Sequence, residues 1–225
     1  SKGFCLSSSG GCVECRENAN CTTATRPICE LTAGATANTC RGCTAHSDCT
    51  SLLCNSDGSC QDASTIVYVN NRTPDNTTAC TGTTHAGSLA DPYCQIGDGV
   101  ANRGTKQLVR LLGSADAYKA VNITAGSATP LRIIGPGSEA ATAARIYELD
   151  VAGFVISLGS GTLTVTVEGV VIGDPNITNT NKRGVACQGS GATVALTLRD
   201  VIVQRAGAEG VFSDSCTLTV ERSIV

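Results

Sequence analysis

Val165-Thr-Val-Glu-Gly-Val-Val-Ile172 lies without gaps over Leu196-Thr-Leu-Arg-Asp-Val-Ile-Val203 and over Leu218-Thr-Val-Glu-Arg-Ser-Ile-Val225. Down the columns, apolar positions stay apolar: Val165, Leu196 and Leu218, then Val167, Leu198 and Val220, then Val171, Ile202 and Ile224. Thr166, Thr197 and Thr219 form a polar column facing the other way, the period of two that a strand with one buried face shows. The copies are offset by 31 and 22 residues. Repeats of that size mark a β-solenoid, in which each coil buries its face only by stacking on its neighbours. The extra residues of the longer coil, such as Gln188-Gly-Ser-Gly191, then belong to a corner loop. A two-sheet sandwich is the rival fold, but sandwiches join sequential strands through tight Asn-Gly or Asp-Gly hairpins. Those dipeptides are scarce: Asp57-Gly58 precedes the strand-rich region, and Asp98-Gly99 precedes the repeats. The best helix candidate runs from Asp98 to Leu112 and is weakened by Gly99 and Gly104.

Upstream, the chain changes character. Ten of its fourteen cysteines fall between Cys5 and Cys60, and one four-cysteine unit is written twice. The first is Cys15-x5-Cys21-x7-Cys29-x10-Cys40, the second Cys43-x5-Cys49-x4-Cys54-x5-Cys60, with Cys5 and Cys12 as a half-unit in front. Thiols at this density persist as disulfides in an oxidising compartment, so a secreted or cell-surface location is expected. Four cysteines allow three connectivities, and tandem copies should use the same one. We take first-to-third and second-to-fourth: Cys15–Cys29 and Cys21–Cys40, then Cys43–Cys54 and Cys49–Cys60, leaving Cys5–Cys12. Cys80–Cys94 and Cys187–Cys216 complete the set. The competing reading is zinc, because Cys12-x2-Cys15 and Cys40-x2-Cys43 resemble two halves of a ribbon site; it leaves six nearby cysteines without a role.

This divides the chain into a cysteine-rich module over 1–62 and a strand-rich domain over 63–225 that continues, or is covered, beyond Val225. The first segment has few large aliphatics and needs stapling. A net charge of −3 without a basic patch argues against nucleic acid and anionic membrane as partners. No apolar run reaches the roughly 18 residues of a membrane span.

Ile66-Val-Tyr-Val69, Asp91-Pro-Tyr-Cys-Gln-Ile96, Leu108-Val-Arg-Leu-Leu112, Val121-Asn-Ile123 and Leu131-Arg-Ile-Ile-Gly-Pro-Gly137 follow one another as strand, disulfide-or-Pro loop, capping segment and coil with a Gly-x-Gly turn. In that order they resemble the opening of right-handed parallel β-helix proteins of the pectin-lyase-like superfamily. The preceding cysteine units are similar to repeats placed before such helices in bacterial surface proteins. The fold class that the resemblance implies is all-β, a right-handed parallel β-helix behind a small disulfide-stapled module. Enzymes of that superfamily work through clustered carboxylates, with Arg or Lys as base or charge stabiliser.

The carboxylates here are arranged differently. Glu168, Arg199 and Glu221 share one column beside Gly169, Asp200 and Arg222. Alternating sign suits a ladder between stacked strands, worth about 0.2–1 kcal/mol per pair, whereas catalytic or calcium sites gather carboxylates together. His46 and His85 lie in different modules and are expected as solvated loop residues, so no Ser–His–Asp set is legible. Gly159-Ser-Gly161 and Gly189-Ser-Gly191 are corner turns. Asn20, Asn71, Asn76, Asn122 and Asn176 open Asn-x-Ser/Thr sequons.

The function expected is a non-enzymatic extracellular structural or adhesive protein, without catalytic residues, metal or cofactor. The alternatives are a polysaccharide lyase or hydrolase whose catalytic coils lie beyond Val225, and a carbohydrate-binding module. Leu218, Val220, Ile224 and Val225 form the assembly edge, where a further segment or a second copy stacks, head-to-tail copies giving a filament. A polysaccharide or another cell-surface ligand is the remaining candidate partner.

Overall fold

The computed structural model describes residues 3–5, 12–31, 38–72, 79–82, 84–113, 116–124, 126–127, 129–137, 143–148, 152–173, 183–204 and 206–225, without the side chains of Cys5 and Cys12. The chain divides into two compact units, Ser1–Ala63 and Ser64–Val225.

The first unit contains two short antiparallel ladders. β1 (Phe4–Cys5) pairs with β2 (Cys12–Val13), setting Cys5 opposite Cys12; the expected bridge between them lies outside the described side chains. β3 (Ile28–Cys29) pairs with β4 (Cys40–Arg41). Disulfides join Cys15 to Cys29, Cys21 to Cys40, Cys43 to Cys54 and Cys49 to Cys60. With their sulfurs bridged, Cys15, Cys40 and Cys43 offer no thiolate to a zinc ribbon. The bridges are also most of the core. One cluster is Cys15, Cys29 and Cys40 packed by Cys21, and the other is Ile28, Cys43 and Cys49 packed by Cys54 and Cys60.

A polar clamp reinforces this unit. Arg41 donates from Nε to Glu30 at 2.9 Å and from Nη1 to Asp48 at 3.1 Å. Asp48 also accepts from the backbone N–H groups of Thr44 (2.9 Å) and Ala45 (3.3 Å). The Thr44 N–H first, then the Arg41 guanidinium, hold the Asp48 carboxyl well down, from 3.8 to about 2. Because the folded value is depressed, the stabilisation is fully present above the unfolded value near 3.8. It is lost as pH falls through about 2. Melts of the wild type and of Asp48→Asn, taken between pH 5 and pH 2, should therefore converge toward the acid end. A stability difference that stays constant over that window would rule out the carboxylate as its source.

The second unit is built from three parallel sheets. The four-stranded sheet has the order β16 (Val211–Asp214), β13 (Val185–Gly189), β10 (Phe154–Leu158), β7 (Val121–Ile123). The six-stranded sheet runs β17 (Cys216–Glu221), β14 (Ala192–Arg199), β11 (Gly161–Glu168), β8 (Leu131–Ile134), β6 (Leu108–Leu111), β5 (Ile66–Val69). The third contains β15 (Ile202–Val203), β12 (Val170–Ile172) and β9 (Ala144–Ile146). From β7 onward the chain visits the three sheets in a fixed rotation: β7, β8, β9, then β10, β11, β12, then β13, β14, β15. Each strand pairs in parallel with the next strand of its own sheet, Val165 with Leu131 and Leu196, and Leu196 with Leu218.

Alternation sets what each strand buries. In β11, Leu163, Val165 and Val167 point into one continuous core while Thr162 and Thr164 are exposed. That core also takes Phe154, Ile156, Leu196, Leu198, Ile133 and Tyr118. Tyr118 is fully buried, and its hydroxyl donates to the carbonyls of Leu112 (2.8 Å) and Val69 (3.1 Å), so burial leaves no orphan there.

Two expectations are corrected. The helix is α1 (Ile96–Ala101), six residues long, and Leu108–Leu111 is the strand β6. Gly104 separates them with φ of +58°, a left-handed conformation that glycine adopts without Cβ strain. Val171, Ile202 and Ile224 stand on the face of the third sheet opposite the main core, where Val171 is still buried, Ile202 is half-buried and Ile224 is 62% exposed. The inward positions are Val170, Ile172, Val201 and Val203. No helix among the described residues is long and apolar enough to cross a membrane.

Candidate functional site

The charged column lies at the C-terminal ends of the six-stranded sheet's strands. Register pairs Glu168 with Ile134 and Arg199, and Arg199 with Glu221. Arg199 Nε donates to Glu221 at 2.8 Å, and its Nη1 lies 3.8 Å from Glu168. Arg132, one pleat away on β8, approaches Glu168 at 3.5 Å. The signs along this face therefore read Arg132, Glu168, Arg199, Glu221, and each carboxylate faces a guanidinium. The Glu221 hydrogen bond first, and its charge after a small burial cost, raise the Arg199 pKa.

One residue further on, the chain turns. Gly169, Asp200 and Arg222 all have left-handed backbone, with φ of +63°, +51° and +46°. At two of these corners a side chain replaces glycine, and the two side chains hold one another: Arg222 donates from Nε and Nη2 to the two oxygens of Asp200, at 2.8 and 2.7 Å. This fork-on-carboxylate geometry is the stronger form of ion pair, and it lowers the Asp200 pKa. The arrangement neutralises charge rung by rung and gathers no pair of carboxylates around a common point.

Arg110 is the residue that pattern reading misses. It is 4% exposed on β6 and donates from Nη1 to the carbonyls of Ile134 and Gly135. Its Nε has no partner, and burial pulls its pKa down to about 10. The signal lay in the sequence: one arginine inside the apolar run Leu108-Val-Arg-Leu-Leu112.

At the edge where the sequence led us to expect assembly, β17 is the outer strand of the six-stranded sheet, Leu218 is half-buried, and Val220, Ile224 and Val225 are 45%, 62% and 61% exposed. Cys187 and Cys216 are bridged, tying β13 to β17, and Cys80 is bridged to Cys94.

Both histidines correct the expectation of solvated loops. His46 Nδ1 accepts from the Cys54 N–H at 3.1 Å. The His85 side chain is 17% exposed, with Nδ1 2.8 Å from Asp91 Oδ1 and Nε2 3.3 Å from Cys94 Sγ. The Cys80–Cys94 loop encloses both His85 and Asp91, the sequence signal that could have found them. Among the sequons, Asn71 is buried and donates from Nδ2 to Asp116 and Ala117 carbonyls, which leaves it unavailable to a glycan. Asn20 accepts from the Arg16 N–H, Asn122 is exposed on β7, and Asn76 and Asn176 lie outside the described residues.

Searches against protein-family models, curated proteins and solved structures returned no match for this chain.

Proposed function

We propose that the second unit is a right-handed parallel β-helix and that the protein is a non-enzymatic extracellular or cell-surface structural and adhesive protein. The supporting observation is the rotation of the chain through three parallel sheets, rung upon rung in register. Its outer charges are consumed in a ladder of alternating sign. Such a ladder contributes to stacking and leaves the carboxylates engaged, whereas glycoside chemistry needs two carboxyl groups flanking one bond. Six disulfides among the described residues suit an oxidising compartment.

In this reading β17 is a docking edge. An edge strand presents a row of backbone N–H and C=O groups that template a further strand, and Val220, Ile224 and Val225 add exposed apolar surface beside it. Its occupant is a later segment of the polypeptide or a second copy, and head-to-tail contacts between copies do not close, so they extend into a filament. The test is sedimentation velocity and electron microscopy of the 225-residue chain and of a Val220→Lys, Ile224→Lys double variant. Association that grows with concentration and vanishes in the variant is the expected result. A wild-type chain that stays strictly monomeric at high concentration sinks the assembly.

A further inference from the structure

We propose that Cys80–Cys94 is a thiol-exchange site in which His85 is the general acid and Asp91 its positioning residue. The proposal goes beyond the structural role above and stands independently of it. The imidazole is held between two partners: Nδ1 at 2.8 Å from Asp91 Oδ1 and Nε2 at 3.3 Å from Cys94 Sγ, with Cys80 Sγ at 3.9 Å. The second oxygen of Asp91 accepts from the Ala86 N–H at 2.8 Å, so the carboxylate is fixed in turn. Those two hydrogen bonds, His85 first, lower the Asp91 pKa. An ionised Asp91 requires the proton on Nδ1, which leaves Nε2 as the atom that exchanges a proton with sulfur. A nucleophile, a base and a group that orients it are the parts of a Cys–His–carboxylate arrangement.

The two sulfurs are not equivalent. Cys94 is buried and Cys80 is partly exposed. A cavity of about 120 Å³ is lined by Arg72, Cys80, Thr81, His85, Ala90, Asp91 and Pro92, and Cys94 is not among its walls. An incoming thiolate therefore reaches Cys80, the sulfur that the cavity exposes. A thiolate left on the buried Cys94 is the poorer leaving group, because burial disfavours the charged form, and that is the sulfur against which Nε2 stands.

The step balances without a redox cofactor. The thiolate of a small external thiol attacks Cys80 Sγ, the new S–S bond forms there, and the Cys80–Cys94 bond breaks toward Cys94. The departing sulfur takes the proton from His85 Nε2, which leaves a neutral imidazole with Nδ1–H still donated to Asp91. The products are a mixed disulfide on Cys80 and a Cys94 thiol. In reverse, Nε2 removes the Cys94 proton and the intramolecular disulfide reforms with release of the external thiol.

The test is timed exchange of the full chain with 2-mercaptoethanol, quenched by alkylation and mapped by peptide mass spectrometry. Expected are a mixed disulfide on Cys80 and exchange at Cys80–Cys94 faster than at Cys187–Cys216. His85→Ala should slow it about 10²-fold, the lower range for a positioned general acid. Asp91→Asn should give an intermediate rate. Imidazole added to the His85→Ala protein should restore exchange at this pair alone, a rescue that a merely structural histidine would not show. Circular dichroism and the unchanged Cys187–Cys216 rate establish that each variant is folded. Wild-type rates in His85→Ala, a mixed disulfide on Cys94, or no rescue by imidazole would each overturn the assignment.

Discussion

Replacing Cys43, Cys54, Cys49 and Cys60 with serine is expected to unfold the second four-cysteine repeat of the first unit at 25 °C. Loss of a native bridge from a small module typically costs 2–5 kcal/mol, and two are removed. Little else is available to compensate: the cluster around these bridges contains one aliphatic, Ile28, besides the cysteines themselves. Serine in their place also buries hydroxyls where sulfur packed, which adds the cost of unsatisfied polar groups. The Arg41 clamp is too small to offset this, since partly exposed ion pairs contribute about 0–1 kcal/mol. Two-dimensional NMR of the full chain should show amides of residues 38–62 collapsing into the random-coil range, while those of 64–225 keep their dispersion. EDTA, by contrast, should leave the wild-type Tm where it was, because the stapling sulfurs are covalently paired. A quadruple variant with native shifts in residues 38–62, or a chelator that melts this unit, would show that something other than the bridges holds it.

What could be read from the sequence, and what could not, follows from how far a period of two can be carried. Val165, Leu196 and Leu218 stand in register in the structure, as do Thr166, Thr197 and Thr219. Within one strand, alternation is enforced by the pleat, so like residues in a gap-free overlay share a face. The parallel, strand-rich character of the second unit was legible for that reason. Val171, Ile202 and Ile224 were not placed by the same logic, because the left-handed residue at Gly169, Asp200 or Arg222 sits between them and the preceding strand. That corner shifts the parity by one residue and sends Val170 and Val201 inward instead. Arg110 escaped for another reason. Alternation correctly puts it on the opposite face from Val109 and Leu111, but only the folded chain shows that this face is covered too, with Tyr68 beside it at 1% exposure. His85 and Asp91 stayed hidden as a pair because a hydrogen bond six residues apart in a loop leaves no periodic trace.

Phe154→Ala is expected to cost the second unit about 3–5 kcal/mol, the range for deleting a fully buried phenylalanine. Phe154 is 0% exposed and stands in the middle of a column, with Val121 paired to it on one side and Val185 on the other. Both valines are themselves buried, so truncation opens a cavity between rungs that have no room to slide together without breaking the ladders on either side. Val155, the next residue, points outward and is half-buried, and Val155→Ala should change stability by less than about 1 kcal/mol. Phe154→Ala deletes a phenyl ring and Val155→Ala only two methyl carbons, so the two costs are compared per carbon removed to isolate inward burial. The distribution of the damage carries more information than its size. If the unit is a stack in which each rung touches only its neighbours, stability is close to a sum of local terms. Hydrogen exchange in Phe154→Ala should then accelerate in β7, β10 and β13 and fade toward β5. Acceleration of equal size from β5 to β17 would mean a single cooperative core, and would count against the β-helix as the description of how this chain is held together.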